Sequence, residues 1–239
     1  MYKLLYWLKQ LIAVFFPFRC HACKASCDFG IVLCDSCRKK LAECIKKPER
    51  VSDTTCDFPV YAMSSYDSFA ADCVKIIKYR PSKKLAIILA ESCAETAKLK
   101  DFLQPDDVLI PVPMHEKRLD QRGFNQASVI AETYAEKTGC KFCPAVIRSR
   151  FTRPQADCTE EERMCNLENA FALDPDLKQE LLRGKRLIVI DDVATTGTTL
   201  TKCVAPLRSL PVREVIALVV SHSYKKRKIH NSQFTIDCF

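Results

Sequence analysis

Glycine is scarce in this chain, with five residues in 239. Its longest small-residue loop has neither the Gly-x-x-x-x-Gly-Lys-Ser/Thr pattern of nucleoside triphosphatases nor the Gly-x-Gly-x-x-Gly fingerprint of dinucleotide sites, so neither phosphate-binding mode is expected there. Aromatic residues make up only 9% and do not interleave with basic ones, which argues against a general stacking platform for single strands. There is no internal repeat and no low-complexity segment. No apolar run is long enough to span a bilayer. The nearest, Leu4 to Phe16, is interrupted by Lys9 and Gln10 and lacks a small-residue cleavage site. An N-terminal helix docked on the protein's own surface is the plain expectation, with peripheral membrane contact as the alternative.

What remains is the composition of a globular protein, 48% hydrophobic and 28% charged, long enough for one large core with a small appendage. The formal charge of +8 is dispersed, except for Lys225-Lys226-Arg227-Lys228 followed by His230. A solvated basic turn explains that cluster, and attraction to nucleic acid is permitted without being required. Cysteine is abundant, at fifteen residues, many in apparent helices and strands. Without a secretory signal this suits a reducing, cytoplasmic setting, where thiols serve as small core residues or metal ligands.

Three Cys-x-x-Cys pairs occur. Cys140 and Cys143 stand alone and read as core or surface thiols. Cys20/Cys23 and Cys34/Cys37 are separated by ten residues, a spacing that brings four thiolates onto one tetrahedral zinc. Such a closed site would be structural, tying together a segment too small for a core of its own. Cys27 and His21 lie close enough in sequence to substitute as ligands. Residues 1–45 are thus expected to form an N-terminal helix and knuckle, residues 46–58 a linker, and residues 59–239 the main domain.

In that domain, apolar runs alternate with helical patterns, as in βαβ units with a mainly parallel sheet. Strands are expected at Pro59–Tyr66, Val108–Val112, Ala145–Arg148 and Val215–Val220. Helices are expected at Asp67–Tyr79 and Ser82–Lys98, and along Ala127, Ile130, Ala131 and Tyr134 with Gly139 as the stop. Thr159 and Glu162 form a helix-capping pattern. Pro206 predicts a kink or early end in the helix that begins near Thr198.

The densest chemistry lies in Arg186–Leu200, RLIVIDDVATTGTTL. Leu187–Ile190 reads as a strand buried on both faces, running into Asp191 and Asp192 and then into Ala194, Thr195, Thr196, Gly197, Thr198 and Thr199. Open α/β sheets bind ligands where such a strand turns into a helix. The threonine hydroxyls and the helix N–H groups can cradle a phosphate, while Gly197 permits positive φ. Two acids beside a phosphate cradle suit a ligand with vicinal hydroxyls, such as a ribose 5-phosphate. A second motif, Ile110–Gln126, brings Lys117, Arg118 and Arg122 toward the same sheet edge, with Asn125 and Gln126 as amide donors. Arginine forks fit pyrophosphate oxygens.

Arg186–Leu200 resembles the phosphoribosyl pyrophosphate (PRPP) loop of type I phosphoribosyltransferases. The ordered set VPxxxxKRxxxRGFNQA, RxxxTxxQ, ERxxNxxxAF and DDVATTGTT, behind a Pro-Phe-Arg-Cys-x-x-Cys knuckle, is similar to the ComF family. The Lys78-Tyr79 pair matches as well. Pro206 and Leu210-Pro211 depart from the family pattern. The resemblance implies a type I phosphoribosyltransferase fold, with Asp191 and Asp192 on the ribose and Thr195–Thr199 on the 5′-phosphate. It further implies Mg²⁺ accompanying PRPP, Arg118 and Arg122 on pyrophosphate or a DNA strand, and Arg153, Gln155, Arg163 and Asn166 in a closing loop. For function it implies competence-associated handling of single-stranded DNA, beside a competence helicase. An active transferase with an unidentified acceptor and a PRPP-sensing regulator fit the same residues.

Overall fold

The computed structural model describes residues 18–148 and 171–223. The N-terminal apolar segment, the Thr159–Asn166 pattern, Arg153, Gln155, Arg163, Asn166 and the 225–230 basic cluster lie outside the described residues.

Among the described residues, eight strands and seven α-helices follow in order: α1 (Asp35–Cys44), β1 (Glu49–Arg50), β2 (Val60–Ser65), α2 (Phe69–Tyr79), α3 (Lys83–Ala94), α4 (Ala97–Phe102), β3 (Val108–Pro111), α5 (Glu116–Arg122), α6 (Gln126–Thr138), β4 (Lys141–Phe142), β5 (Val146–Arg148), β6 (Phe171–Leu173), β7 (Arg186–Ala194), α7 (Thr198–Val204) and β8 (Glu214–His222). Six strands form one sheet in the order β1-β2-β8-β7-β3-β4, parallel except for β1. β5 and β6 form a separate antiparallel ribbon. A mostly parallel sheet flanked by helices is the architecture that the resemblance to type I phosphoribosyltransferases implies.

The central strands are apolar on both sides because both sides are covered. Ile188 and Ile190 of β7, with Ile216 and Leu218 of β8, pack beneath α2, α3 and α6. Leu187, Val189, Ala217 and Val219 point the other way, toward α7 and the 3₁₀ turn Ala205–Ser209. Cys20, Leu33, Cys37, Leu41 and Ile45 join the first of these clusters, so the cysteine-rich segment and α1 rest on the same apolar layer as α2 and α3.

Caps and prolines set several boundaries. The Ser68 and Ser82 hydroxyls accept the Ala71 and Leu85 amides, so α2 and α3 begin just after them. The expected long helix from Ser82 breaks at Glu95–Thr96 into α3 and α4. Gly139 adopts φ +80° at the end of α6. Pro206 cannot donate to the helix, and α7 gives way to a 3₁₀ turn after Val204. One difference matters for the site. β7 does not stop before the acids. β8 is nine residues long and continues to pair, with Val219 opposite Asp191 and His222 opposite Ala194. The acid pair therefore sits within a strand, with only the loop beyond Ala194 free of the ladder.

Candidate functional site

A cleft of about 620 Å³ opens where the carboxyl ends of β3 and β7 meet α2, α5, α6 and the β5–β6 ribbon. Its floor carries Asp191 and Asp192. Successive strand residues face opposite ways, which separates the environments of the two acids. Asp192 is buried toward α2, where its Oδ1 accepts Lys78 Nζ at 3.0 Å. Asp191 forms no ion pair of its own among the described residues. Burial, and then the neighbouring Asp192 charge, push its carboxyl up to about 8, against the opposing pull of the Asp192 amide and Lys78. The Asp192 N–H donates to Asp191 Oδ1 at 2.8 Å.

Beyond Ala194 the loop divides its duties. Thr195 and Thr199 line the cleft. Thr196 and Thr198 share a hydroxyl–hydroxyl hydrogen bond of 2.9 Å, and Gly197 takes φ +89° at the start of α7. The loop is also held from behind. Thr55 donates both its N–H and its hydroxyl to the Thr196 carbonyl, each at 2.9 Å. The Cys56 thiol points at the Gly197 carbonyl and accepts from the Thr201 hydroxyl, both at 3.5 Å. A Cβ on residue 197 would sit 2.5 Å from Cys56 Sγ. Glycine is needed here for its missing side chain as well as for its torsion.

The opposite wall is cationic. Arg118 and Arg122 project from α5, and Arg148 reaches in from β5. Arg122 donates to Gln126 Oε1 at 2.6 Å. Arg148 stacks over Phe171 of the paired strand, 5.4 Å from the ring centroid. Burial, with the nearby Arg118 charge, draws Arg148 below the usual arginine range. Cations crowded in this way create a field suited to a polyanion. Asn125 and Gln126 turn out to be positioning groups. The Asn125 amide donates to the Val112 carbonyl at 2.9 Å while its oxygen caps α6 through Ala127.

Sequence reasoning missed three cleft residues. Arg148 enters the sequence reading only as the end of a strand and the start of a motif. Tyr79 was read only as half of a matching pair. His115, whose Nδ1 accepts the Lys117 amide at 3.2 Å and so leaves the neutral ring's proton on Nε2, went unremarked. The available signal was position, since Pro113-Met114-His115 directly follows a strand at its carboxyl end. The stretch carrying Arg153, Gln155, Arg163 and Asn166 leaves the described structure at Arg148 on the cleft wall. It returns at Phe171, the partner of Arg148 in the ribbon.

Apart from the cleft, Cys20, Cys23, Cys34 and Cys37 bring their sulfurs within 4.8 Å of one another and could hold a metal ion. Cys23 and Cys34 Sγ are 3.6 Å apart. A tetrahedral ion with metal–sulfur bonds of about 2.3 Å sets its ligand sulfurs roughly 3.8 Å apart. Burial works against the Cys20 thiolate, but amides of Cys34, Cys23 and Ala22 outweigh it and lower the thiol to about 6. Cys27 and His21 stand outside the set. Cys140 is buried with its thiol on the Gln104 carbonyl, and neither it nor Cys143 belongs to a metal-competent group among the described residues.

The family described as "Phosphoribosyl transferase domain" matches residues 125–238. "Competence protein F" of Haemophilus influenzae is 26% identical over 234 residues, covering 84% of this chain and 95% of that protein. "DNA utilization protein YhgH" of Salmonella typhimurium is 26% identical over 211 residues, covering 84% and 86%. "Competence protein ComFC" of Bacillus subtilis is 35% identical over a shorter stretch of 96 residues, 39% of this chain and 35% of that protein.

Proposed function

We propose that this chain, which is similar to competence proteins and carries a phosphoribosyl transferase domain match, is a ComF-type protein whose cleft binds PRPP in the service of handling single-stranded DNA during natural transformation. The observation that carries this reading is the convergence of two carboxylates, a threonine loop and three arginines in one cleft. Thr195 and Thr199, with the loop amides, receive the 5′-phosphate. Asp191 and Asp192 accept the ribose hydroxyls. Arg118, Arg122 and Arg148 neutralise the pyrophosphate, and fixed cations that need no reorganisation also stabilise charge on a departing diphosphate. Asp191 and Asp192 would hold the Mg²⁺ that accompanies PRPP, and the ion would supply positive charge at the diphosphate. Lys78 holds one acid in place from behind.

Cys20, Cys23, Cys34 and Cys37 hold zinc, which braces the N-terminal segment against α2 and α3. The link to DNA draws on the relatives named for competence and DNA utilisation. The same cationic wall would accept a strand phosphate, and a helicase that feeds single strands is the partner such a role requires.

The test is titration calorimetry of the full chain with PRPP and Mg²⁺, beside an Asp191→Asn/Asp192→Asn variant and a 5′-phosphorylated single-stranded oligonucleotide. Micromolar PRPP binding that disappears in the variant is the expected result. Salt-sensitive oligonucleotide binding with no PRPP binding would remove the phosphoribosyl ligand from the reading. PRPP affinity unchanged in the variant would remove the acids from the site.

A further inference from the structure

The loop after β7 has one glycine among the five residues Thr195–Thr199, whereas glycine-rich phosphate loops use several to let backbone amides converge on an anion. Its peptide groups have to be fixed by another device. A planar trans peptide points its carbonyl and the following N–H in opposite directions, and no peptide bond among the described residues is cis. Whatever grips a loop carbonyl therefore aims the next amide.

Three carbonyls of this stretch are gripped. The Ala194 carbonyl accepts the Ser223 amide at 3.0 Å, which prolongs the β7–β8 ladder. The Gly197 carbonyl accepts the Thr201 amide at 2.9 Å, which opens α7, and meets the Cys56 thiol as well. Thr196 is different, because neither sheet nor helix reaches it. Among the described residues its carbonyl is bonded by Thr55 alone, through both the N–H and the hydroxyl. A carbonyl oxygen has two lone pairs, and Thr55 takes up both. Thr55 does not line the cleft, while Thr195 and Thr199 on either side of the gripped peptide do. The Thr196 carbonyl is thus held on the side away from the cleft, and the Gly197 N–H points the other way.

We propose that Thr55 is a positioning residue for the phosphate loop: by holding the Thr196 carbonyl back, it aims the Gly197 N–H at the 5′-phosphate. The inference rests on the phosphoribosyl reading. Gly197 makes the grip necessary. Its φ is +89°, and glycine populates both signs of φ with similar ease, so the peptide between Thr196 and Gly197 can turn over. A turned peptide presents a carbonyl oxygen to the anion in place of a donor. Thr55 removes that alternative from 141 residues away.

The experiment titrates ribose 5-phosphate and inorganic pyrophosphate, each with Mg²⁺, into the full chain and its Thr55→Val and Thr55→Ser variants by calorimetry. Thr55 is exposed, so both variants are compatible with the fold. Valine keeps the shape and the N–H but loses the hydroxyl, whereas serine keeps the hydroxyl. Loss of one hydrogen bond predicts that Thr55→Val binds ribose 5-phosphate roughly 2- to 10-fold more weakly than wild type, and that Thr55→Ser restores the affinity. Pyrophosphate, seated on the arginines of α5 and β5, binds all three proteins alike. Three results overturn the positioning role and leave the phosphoribosyl reading standing. These are unchanged ribose 5-phosphate affinity in Thr55→Val, a parallel loss of pyrophosphate affinity that marks a general loosening of the site, and failure of serine to restore binding. Absence of ribose 5-phosphate binding by the wild type overturns the phosphoribosyl reading and the inference with it.

Discussion

Replacing Gly197 with alanine separates two costs that the structure superimposes at one residue. The first is torsional: φ is +89°, and an L-residue in the left-handed region loses roughly 1–2 kcal/mol. The second is steric. The new Cβ would lie 2.5 Å from Cys56 Sγ and 3.3 Å from Thr54 Cβ. Cys56 can escape only by abandoning its contacts with the Gly197 carbonyl and Thr201, and overpacking of this kind costs typically 1–3 kcal/mol. Alanine also restricts the unfolded chain, which offsets about 0.4–1 kcal/mol. The net expectation is a loss of about 2–4 kcal/mol. For a protein of this size that is a fall in melting temperature of the order of 10 °C. In a Cys56→Ala background the thiol clash is gone, leaving the torsional cost and the tight Thr54 contact against the same unfolded-state offset, so the same substitution should cost only about 1 kcal/mol. Chemical denaturation of the four proteins of this double-mutant cycle, at constant zinc, measures the difference. An equal cost in both backgrounds would refute the claim that residues 54–56 brace the loop.

Other expectations follow from separate parts of the molecule. Cys34→Ser should release one equivalent of zinc, read with a chromogenic chelator, and lower stability by several kcal/mol, whereas Cys27→Ser should retain the metal because Cys27 stands outside the cluster. Asp107 is fully buried and receives Arg186 Nε at 2.8 Å together with a second bond from its Nη2. Removing either partner should cost about 3–5 kcal/mol in urea denaturation by stranding the other charge, and a loss below about 1 kcal/mol would show that the pair is solvated. Asp191 has a folded pKa near 8, above its unfolded value of 3.8, so the folded state binds more protons throughout that window and loses stability as pH rises through it. Asp191→Asn should therefore be more stable than wild type at pH 8, with the advantage shrinking toward pH 4. A pH-independent difference would contradict the buried setting of this acid.

Where the pattern is local, the chain announces it. Leu187–Ile190 is apolar at every position because the sheet is covered on both faces, and that alone marks a central parallel strand. The four clustered cysteines are legible from spacing, whereas the exclusion of Cys27 and His21 from the cluster depends on where the sulfurs lie. Pro206 ends α7 as its missing amide requires. The end of β7 was less legible, because two acids look like the close of a strand when the partner strand is not in view. The extra length of β8 keeps them in the ladder. Glu95–Thr96 breaks a helix whose composition would have carried it further, since no glycine or proline marks the site.

The sequence by itself determined the mainly parallel α/β sheet, the acid pair followed by a threonine loop at a strand end, and the four-cysteine cluster. Each rests on periodicity or spacing within a few residues, and backbone geometry converts such patterns directly into structure. Only the tertiary structure decided that Thr55 would bond the loop from 141 residues away. It alone placed Lys78 against Asp192, and set Arg148 and Tyr79 on facing walls of one cleft. Those pairings depend on where parallel crossovers return the chain and how helices seat on the sheet, and no local pattern carries that information.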